Sequence, residues 1–391
     1  MFEFLTKIVP RSAIFVLIVL TLAAVAAFAA VSHLVKRYNA NQQSRGRRLY
    51  AQGMADLNAG AANRAIEEFR AALTCDRANP QYQLSLGRAL RDTGRLDEAE
   101  SYLESLWQRT PEDGTINLAL ARVAARRGSL DDAIRYYHNA IYGIWNYDPD
   151  ANRRDARLEL IEFLLRKGAR AQTRSELVVF AASLPPDSPL HLRAADLLAQ
   201  DQDYADALAE YERVLRIDRG NPPALAGAGR AAYRAGRYRT AQRYLQSAVS
   251  ASPKDSTLRY LLTSANLILE ADPFVSRISD AERNRRIAAA FKKAGERLTS
   301  CAQQRGINLA ATSPAAASTR PPSALATLES RWLDTRREIP RLRLAGETDL
   351  PDVIMDLVFQ IEQQTAEDCG EAQGIDQALL LISRDRETAD R

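Results

Sequence analysis

The chain repeats itself at a fixed interval of 34 residues. Small residues recur at this spacing in two series, Ala65, Ala99 and Ala133, and then Thr173, Ala207 and Ala241. The step between the two series is longer, which indicates an insertion between the third and fourth copies. A period of this length is typical of stacked supersecondary units that bury their apolar faces against their neighbours. The sequence therefore predicts a repeat array.

Each copy has the residues that a pair of packed helices needs, as the unit at residues 80–113 illustrates. Gly87 and Ala99 are small enough to let two helices approach closely, and Leu103 fills the space between units. Gly94 supplies the turn, because a positive φ costs little only at glycine. Pro111 ends the second helix, since proline cannot continue it.

This pattern resembles the tetratricopeptide repeat, a helix–turn–helix unit of 34 residues. The resemblance covers residues 46–253 and implies an all-α fold, a right-handed solenoid of about six units. Residues 254–271 predict one further amphipathic helix that caps the last repeat. Residues 272–391 predict a small helical region without a recognised module, and residues 307–325 within it have the Ala, Ser and Pro content of a linker.

The N-terminus predicts a membrane anchor. After a short tail at residues 1–11, an apolar segment at residues 12–34 begins with twenty uncharged residues, enough to span a bilayer as a helix. A cleaved signal peptide is the alternative, because Ala27, Phe28 and Ala29 resemble a cleavage site. We favour a retained single-pass anchor, since the apolar run exceeds the usual signal-peptide core.

The side of the membrane on which the repeats lie is open at this point. Arg45, Arg47 and Arg48 follow the span and favour the cytoplasm, although this rule is weak for long domains. A short basic tail before the span suits an anchor that exports the repeats. We expect a scaffold in the inner membrane of a bacterial cell envelope, with the repeats outside the cytoplasm.

The cysteines bear on the same question. Cys301 and Cys369 bracket the C-terminal region and would form a disulfide if the region is exported. Two unrelated thiols are the alternative, because cysteine pairing does not follow from sequence.

The resemblance also implies a binding groove lined by the first helix of each unit. Carried onto this sequence, its positions are mostly basic: Arg88, Arg91, Arg122, Arg126, Arg166, Arg230, Tyr233 and Arg234, with Asp92, Glu162 and Asp196 as the acids. Guanidinium groups hold carboxylates with two parallel hydrogen bonds. We therefore expect acidic peptide segments of other proteins as partners. Ordinary solvated arginines on helix surfaces are the alternative.

The net charge is negative after residue 346 and positive before it. The acidic segment at residues 347–390 is thus a candidate ligand for the groove, within one chain or between two copies in a self-associated form.

No sequence motif predicts catalysis, a cofactor or a metal site. A zinc ligand set, a phosphate-binding loop and a nucleophile elbow are not found. We predict that the protein is not an enzyme and does not bind nucleic acid. An enzyme or regulatory domain within residues 271–391, targeted by the repeats, is the alternative.

The insertion after the third unit contains Trp145 and Tyr147, and three further aromatic residues, Tyr136, Tyr137 and Tyr142, lie next to it. They are interpreted either as packing at a bend or as a surface on which a ligand stacks.

Overall fold

The computed structural model describes residues 11–307, 323–343 and 349–389. The regular elements in these ranges are helices, and one isolated bridge joins Asp113 and Ile144. The predicted all-α fold is therefore confirmed. The chain divides into two units, residues 1–176 and 177–391. Residues 1–10 of the predicted tail and 308–322 of the predicted linker lie outside the described residues.

The helices of the first unit are α1 (Arg11–Asn58), α2 (Ala62–Cys75), α3 (Pro80–Asp92), α4 (Leu96–Trp107), α5 (Gly114–Arg127), α6 (Leu130–Tyr142) and α7 (Pro149–Lys167), and α8 (Arg170–Ser183) crosses the boundary. The second unit holds α9 (Leu190–Gln200), α10 (Tyr204–Ile217), α11 (Pro222–Arg234), α12 (Tyr238–Ala251), α13 (Ser256–Ala271), α14 (Asp280–Gln304), α15 (Ala324–Thr335), a 3₁₀ helix (Ile339–Arg343), α16 (Leu350–Cys369) and α17 (Ile375–Ala389).

Helix α1 joins the predicted anchor and the first repeat without a break. Its N-terminal part is long and apolar enough to cross a membrane, a test that a signal sequence also passes. Apolar side chains such as Phe15, Leu22 and Phe28 are exposed there. Farther along, Gly53 lies in the first repeat, where an added Cβ would lie 2.6 Å from the Phe69 ring.

The repeat positions pack as their spacing predicts. The six small residues of the two series, Ala65, Ala99, Ala133, Thr173, Ala207 and Ala241, have no exposed surface. In the first unit Leu103 is fully buried against Gly87, where a Cβ would lie 2.9 Å from the leucine side chain. In the second, Leu245 packs against Gly229 in the same way. Truncating such a leucine to alanine costs about 2–5 kcal/mol of stability.

The turn between the two helices of a repeat contains a glycine in every repeat except the fifth. Five predicted turn glycines have positive φ: Gly60, Gly94, Gly128, Gly168 and Gly236. The fifth repeat has Gln202 at the same position, with a φ of 68°. A side chain with a Cβ loses roughly 1–2 kcal/mol in this left-handed conformation. The fifth repeat therefore contains a strained turn.

The insertion after the third repeat is fixed by packing. Trp145 lies over Gly114, where a Cβ would lie 2.4 Å from the indole, and its Nε1 donates to the Ala140 carbonyl oxygen at 2.9 Å. The Gly114 amide donates to the Ile144 carbonyl oxygen, and the Ile144 amide donates to that of Glu112. Tyr136 and Tyr137 are buried, whereas Tyr142 and Tyr147 are exposed. Packing therefore accounts for three of the five aromatic residues, Tyr136, Tyr137 and Trp145.

In the second unit, α13 packs against α12 at the end of the repeats and buries Leu258 and Ile268. A buried polar pair lies deeper in this unit, where His191 Nδ1 is 2.7 Å from Glu210 Oε2. The imidazole Nε2 is 3.0 Å from the Pro185 carbonyl oxygen. Both ring nitrogens thus have partners in the protein.

The C-terminal helices form an apolar cluster around α16. This helix buries Ile354, Val358 and Ile361, and it packs against α14, α15 and α17. It ends at Cys369, and a 3₁₀ helix precedes it at Ile339–Arg343. Ser279 caps α14 by accepting from the Glu282 amide.

Glu362 lies inside this cluster with no exposed surface. Its Oε2 is 3.3 Å from Arg297 Nε, but that nitrogen donates instead to Thr365 Oγ1 at 2.8 Å. Neither carboxyl oxygen accepts a hydrogen bond. Burial, and next the charge of Asp376, raise the pKa of Glu362 to about 8. The second unit therefore holds a carboxyl group that is protonated over part of the neutral range.

Candidate functional site

The predicted groove residues of the first unit lie on three helices, α3, α5 and α7. Asn79 and Asp113 begin α3 and α5, because their side-chain oxygens accept two backbone amides each at the helix starts. Arg88 and Arg122 are 34 residues apart and so occupy equivalent positions on these two helices. The charge of Arg122 is the largest charge effect on Arg88. The structure thus brings these two predicted residues together.

Arg122 is held by a carboxylate that the sequence analysis did not single out. Its Nε donates to Glu159 Oε2 at 2.9 Å, and its Nη2 donates to Glu159 Oε1. The hydrogen bond to Glu159 raises the pKa of Arg122 above its ordinary value. Glu159 lies three residues before the predicted groove residue Glu162, so it shares that face of α7. The three-residue spacing from Glu162 is the sequence signal from which a role of Glu159 in the groove could have been predicted.

Arg91 and Arg126 are engaged at the end of α3. Arg91 donates from Nε and Nη2 to Asp92 Oδ1, at 2.9 and 2.7 Å. Arg126 reaches back from α5 and donates to the carbonyl oxygens of Arg91 and Asp92. Two of the predicted arginines therefore satisfy groups of the protein itself.

Arg88 has no such partner. Its Nε is buried without a hydrogen bond, and none of the described carboxylates forms an ion pair with it. Burial, then the charges of Arg122 and Arg91, lower the pKa of Arg88 below its ordinary value. Asp113 and Tyr50 oppose this effect only weakly. A half-buried guanidinium beside two others is the part of the first unit best suited to receive a ligand carboxylate.

The remaining predicted groove residues differ in exposure. Arg166 is exposed at the end of α7 in the first unit. Arg230 and Arg234 are exposed on α11 in the second unit. Tyr233 is buried between them, with 8% of its surface exposed, and its hydroxyl is 2.7 Å from Ser264 Oγ. Tyr233 therefore packs α11 against α13 and offers little surface to a peptide.

Cys301 and Cys369 are joined in a disulfide in the second unit, with their Cα atoms 5.7 Å apart. The bond links the end of α14 to the end of α16 and closes a loop of 68 residues. Cys75 is a free thiol.

The acidic C-terminal segment is folded where the structure describes it. Helices α16 and α17 pack against each other and against α14, and α17 also packs against α13. Asp376 lies 3.5 Å from Arg297 Nη1, and Asp385 lies beside Gly236 at the sixth-repeat turn. The segment is therefore part of the second unit, so its acidic side chains are not those of an extended peptide. Apolar residues of α16 and α17 anchor it there, and its role as a ligand of the groove, within one chain or between two copies, stays a prediction.

Within the described ranges, no group of three or more His, Cys, Asp or Glu residues is placed to hold a metal ion. Glu362, Arg297 and Asp376 converge in the C-terminal cluster, but Glu362 is fully buried. A cavity of 490 Å³ near the disulfide is lined by Arg297 and Asp376 and not by Glu362. The buried acid of this cluster, Glu362, therefore does not line the cavity, whereas Asp376 does and is paired with Arg297.

The sequence matches family models of the tetratricopeptide repeat over residues 50–113, 84–149 and 198–265. These stretches contain repeats with the predicted phase and make up less than half of the chain. Residues 150–197 lie outside them. No curated protein matches the chain.

Several solved structures have similar folds at low sequence identity. PilF of Pseudomonas aeruginosa is 16% identical, with a TM-score of 0.39, and the match covers 56% of this chain and 97% of PilF. YrrB, described as a TPR protein with an unusual peptide-binding site, is 16% identical with a TM-score of 0.37, covering 49% of this chain and 96% of YrrB. The TPR2AB domain of yeast Sti1, in complex with pHSP90, is 18% identical with a TM-score of 0.25, covering 57% and 99%. Likeness at this level carries no functional argument.

Proposed function

We propose that this chain, whose residues 50–149 and 198–265 contain tetratricopeptide repeats, is a scaffold that binds acidic segments of partner proteins at a membrane. Tetratricopeptide repeats support a role in protein–protein interaction. The finer assignment depends on the basic surface of the first unit. Its role is to hold a partner in place, without catalysis and without a cofactor.

Arg88 is the observation that carries this proposal. Its neighbours Arg91 and Arg122 already have carboxylate partners, Asp92 and Glu159, at hydrogen-bonding distance. Arg88 has none, although part of its guanidinium is buried. A buried group without partners is costly, so a ligand carboxylate that pairs with it gains the favourable interaction and removes the cost. A partner's acidic segment suits this position better than the chain's own C-terminus, which is folded into α16 and α17.

The anchor and the disulfide support the proposed location. The apolar part of α1 is long enough to hold the chain in an inner membrane of a bacterial envelope. The Cys301–Cys369 disulfide favours an oxidising compartment, because reducing systems of the cytoplasm keep thiols reduced. We therefore assign the repeats to the extracytoplasmic side.

Binding is tested by fluorescence anisotropy with the full chain in detergent and a labelled peptide of alternating Glu and Gly. We expect Arg88→Ala to weaken binding by at least about tenfold, the loss of one charge-assisted hydrogen bond. Arg88→Lys keeps the charge and loses the two-pronged geometry, so its affinity should be intermediate.

The matched control is Arg64→Ala, which removes an exposed arginine of the same unit, paired with Asp56 at 3.2 Å. Its affinity should equal that of the wild type. Equal affinity of Arg88→Ala and the wild type for the peptide would refute the assignment. Equal losses of affinity in Arg88→Ala and Arg64→Ala would show that the peptide responds to net charge and not to a specific site.

The location is tested by a compartment reporter fused after Arg391, together with thiol labelling. We expect extracytoplasmic reporter activity, with Cys301 and Cys369 labelled only after reduction. Cys75 labels in the denatured protein without reduction and so controls for reagent access. Cytoplasmic activity with free Cys301 and Cys369 would place the repeats on the other side.

A further inference from the structure

The second unit contains a cavity of 730 Å³ between α14, α15 and the 3₁₀ helix. Its volume lies in the range of sites for small ligands and peptide side chains, about 300–1,000 Å³. None of the predicted groove arginines lines it, and neither cysteine of the disulfide does. It is therefore a separate candidate site.

The indole of Trp332 forms a rigid wall of this cavity. Its ring stacks on Phe291 with centroids 5.2 Å apart and planes 9° from parallel, and its Nε1 donates to the Phe291 carbonyl oxygen at 3.1 Å. Gly295 makes room for the ring, because a Cβ there would lie 2.4 Å from Cζ2. Three independent contacts thus fix the indole before any ligand arrives, which lowers the entropic cost of binding.

The cavity has an apolar end and a polar end. Ile339 and Pro340 belong to the 3₁₀ helix, which lies toward the start of α14, where the Asn284 side-chain amide donates to the Leu342 carbonyl oxygen. Thr299 and Gln303 line the cavity farther along α14. The lining residues of α14 run from Ala288 to Gln303, about 22 Å at 1.5 Å per residue. An extended peptide of about six or seven residues has this length. Hydroxyl and amide groups at the polar end can bind its backbone.

One positive charge of the lining, on Arg336, has no carboxylate partner. Lys292 lies 3.9 Å from Glu296, and that carboxylate also pairs with Lys293. Arg336 lies over the Trp332 ring at 5.5 Å, and none of the described carboxylates forms an ion pair with it. The complementary ligand therefore has a carboxylate next to an apolar group.

We propose that this cavity is a second peptide site, which binds an extended segment of a partner protein with a large apolar side chain next to an Asp or Glu. The apolar side chain contacts Trp332 and the end near Ile339, and the carboxylate pairs with Arg336. The proposal is independent of the arginine surface of the first unit, so either can fail without the other.

The test measures binding of labelled heptapeptides of Gly and Ser with a central Phe-Asp pair to the full chain in detergent. Thr299→Trp fills the cavity from an exposed position of α14. Arg336→Glu reverses the free charge. Each should weaken binding by at least about tenfold. The matched control is Arg337→Glu, an adjacent exposed arginine that lies 3.8 Å from Asp334, and it should stay within about twofold of wild type.

A peptide with Asn in place of Asp should bind the wild type more weakly, and this preference should be lost or reversed in Arg336→Glu, because its carboxylate repels that of the Asp peptide. Unchanged circular dichroism and an intact disulfide exclude misfolding of the variants. The proposal is overturned if the peptides bind wild type and Thr299→Trp equally well. It is also overturned if their Kd for the wild type is above about 1 mM. Laurate that binds tightly while the peptides do not also overturns it, in favour of a small amphiphile.

Discussion

The buried carboxyl of Glu362 makes the stability of the C-terminal cluster depend on pH. Burial raises its pKa from 4.5 to about 8 in the folded protein, whereas the unfolded chain releases the proton near pH 4.5. Between these values the folded state holds a proton that the unfolded state has lost. The contribution of Glu362 to the free energy of unfolding is therefore fully present below about pH 4.5, and it is lost as the pH rises through about 8.

The magnitude follows from the two pKa values. Each pH unit between the two pKa values lowers the free energy of unfolding by about 1.4 kcal/mol, so the total loss of stability is about 5 kcal/mol. Glu362→Gln replaces the protonated acid by a neutral group of the same shape and removes the titration. We expect the variant to be more stable than wild type by about 3 kcal/mol at pH 7, and to differ little near pH 5. Glu367→Gln, an exposed carboxylate of the same helix, is the matched control and should follow the wild type.

The assay is urea unfolding of the full chain in detergent, followed by fluorine NMR of fluorotryptophan. Trp332 reports on the cluster, and Trp107 and Trp145 report separately on the first unit. Parallel pH dependences of wild type and Glu362→Gln at the Trp332 signal would refute the reasoning. They would mean that Arg297, 3.3 Å from the carboxyl group, compensates for its burial.

Three other changes test single features of the fold and of the groove. Gln202→Gly should relieve the left-handed turn of the fifth repeat and raise the free energy of unfolding by about 1 kcal/mol, whereas a lowered melting temperature would contradict the strain. Opening the disulfide by Cys301→Ser with Cys369→Ser should cost about 4 kcal/mol for a loop of 68 residues, measured by thermal unfolding, and an unchanged midpoint would show that packing alone holds the ends of α14 and α16. Glu159→Gln frees Arg122, so affinity for the acidic peptide should rise about threefold to tenfold in the anisotropy assay; weaker binding would show that Glu159 serves to position the arginine.

The repeats were predictable because their determinants are periodic. A small residue at the position of Ala99 and a large apolar or aromatic residue at the position of Leu103 recur in all six repeats, and their burial follows from that pattern. The pairing of Arg122 with Glu159 was not predicted, since it joins α5 to α7 across the insertion, where the period of 34 fails. The fit of Trp332 over Gly295 depends on two segments without any repeat. Local patterns therefore specify the array, and contacts between unlike segments specify the sites.

Tyr233 shows a further limit of the repeat pattern. The family resemblance places it on the groove side of its helix, at the position that Arg91 occupies in the second repeat. The helix that follows the last repeat covers this position, and Ser264 of α13 binds the tyrosine hydroxyl. The last repeat packs against a different kind of neighbour than an inner repeat does. The family position of a residue in the last repeat therefore does not determine how exposed that residue is.

The continuity of α1 has a mechanical consequence. A flexible tether would leave the distance and orientation of the first repeat relative to the apolar end of α1 variable. An unbroken helix fixes both the distance and the rotation. From Val31 to Gly46 the helix rises about 22 Å, and each residue turns it by about 100°. Inserting one residue between positions 37 and 45 would lift the first repeat by about 1.5 Å and swing it about a quarter of a circle around the helix axis. In the proposed membrane-anchored state, the number of residues in this stalk sets the direction in which the proposed binding surface faces.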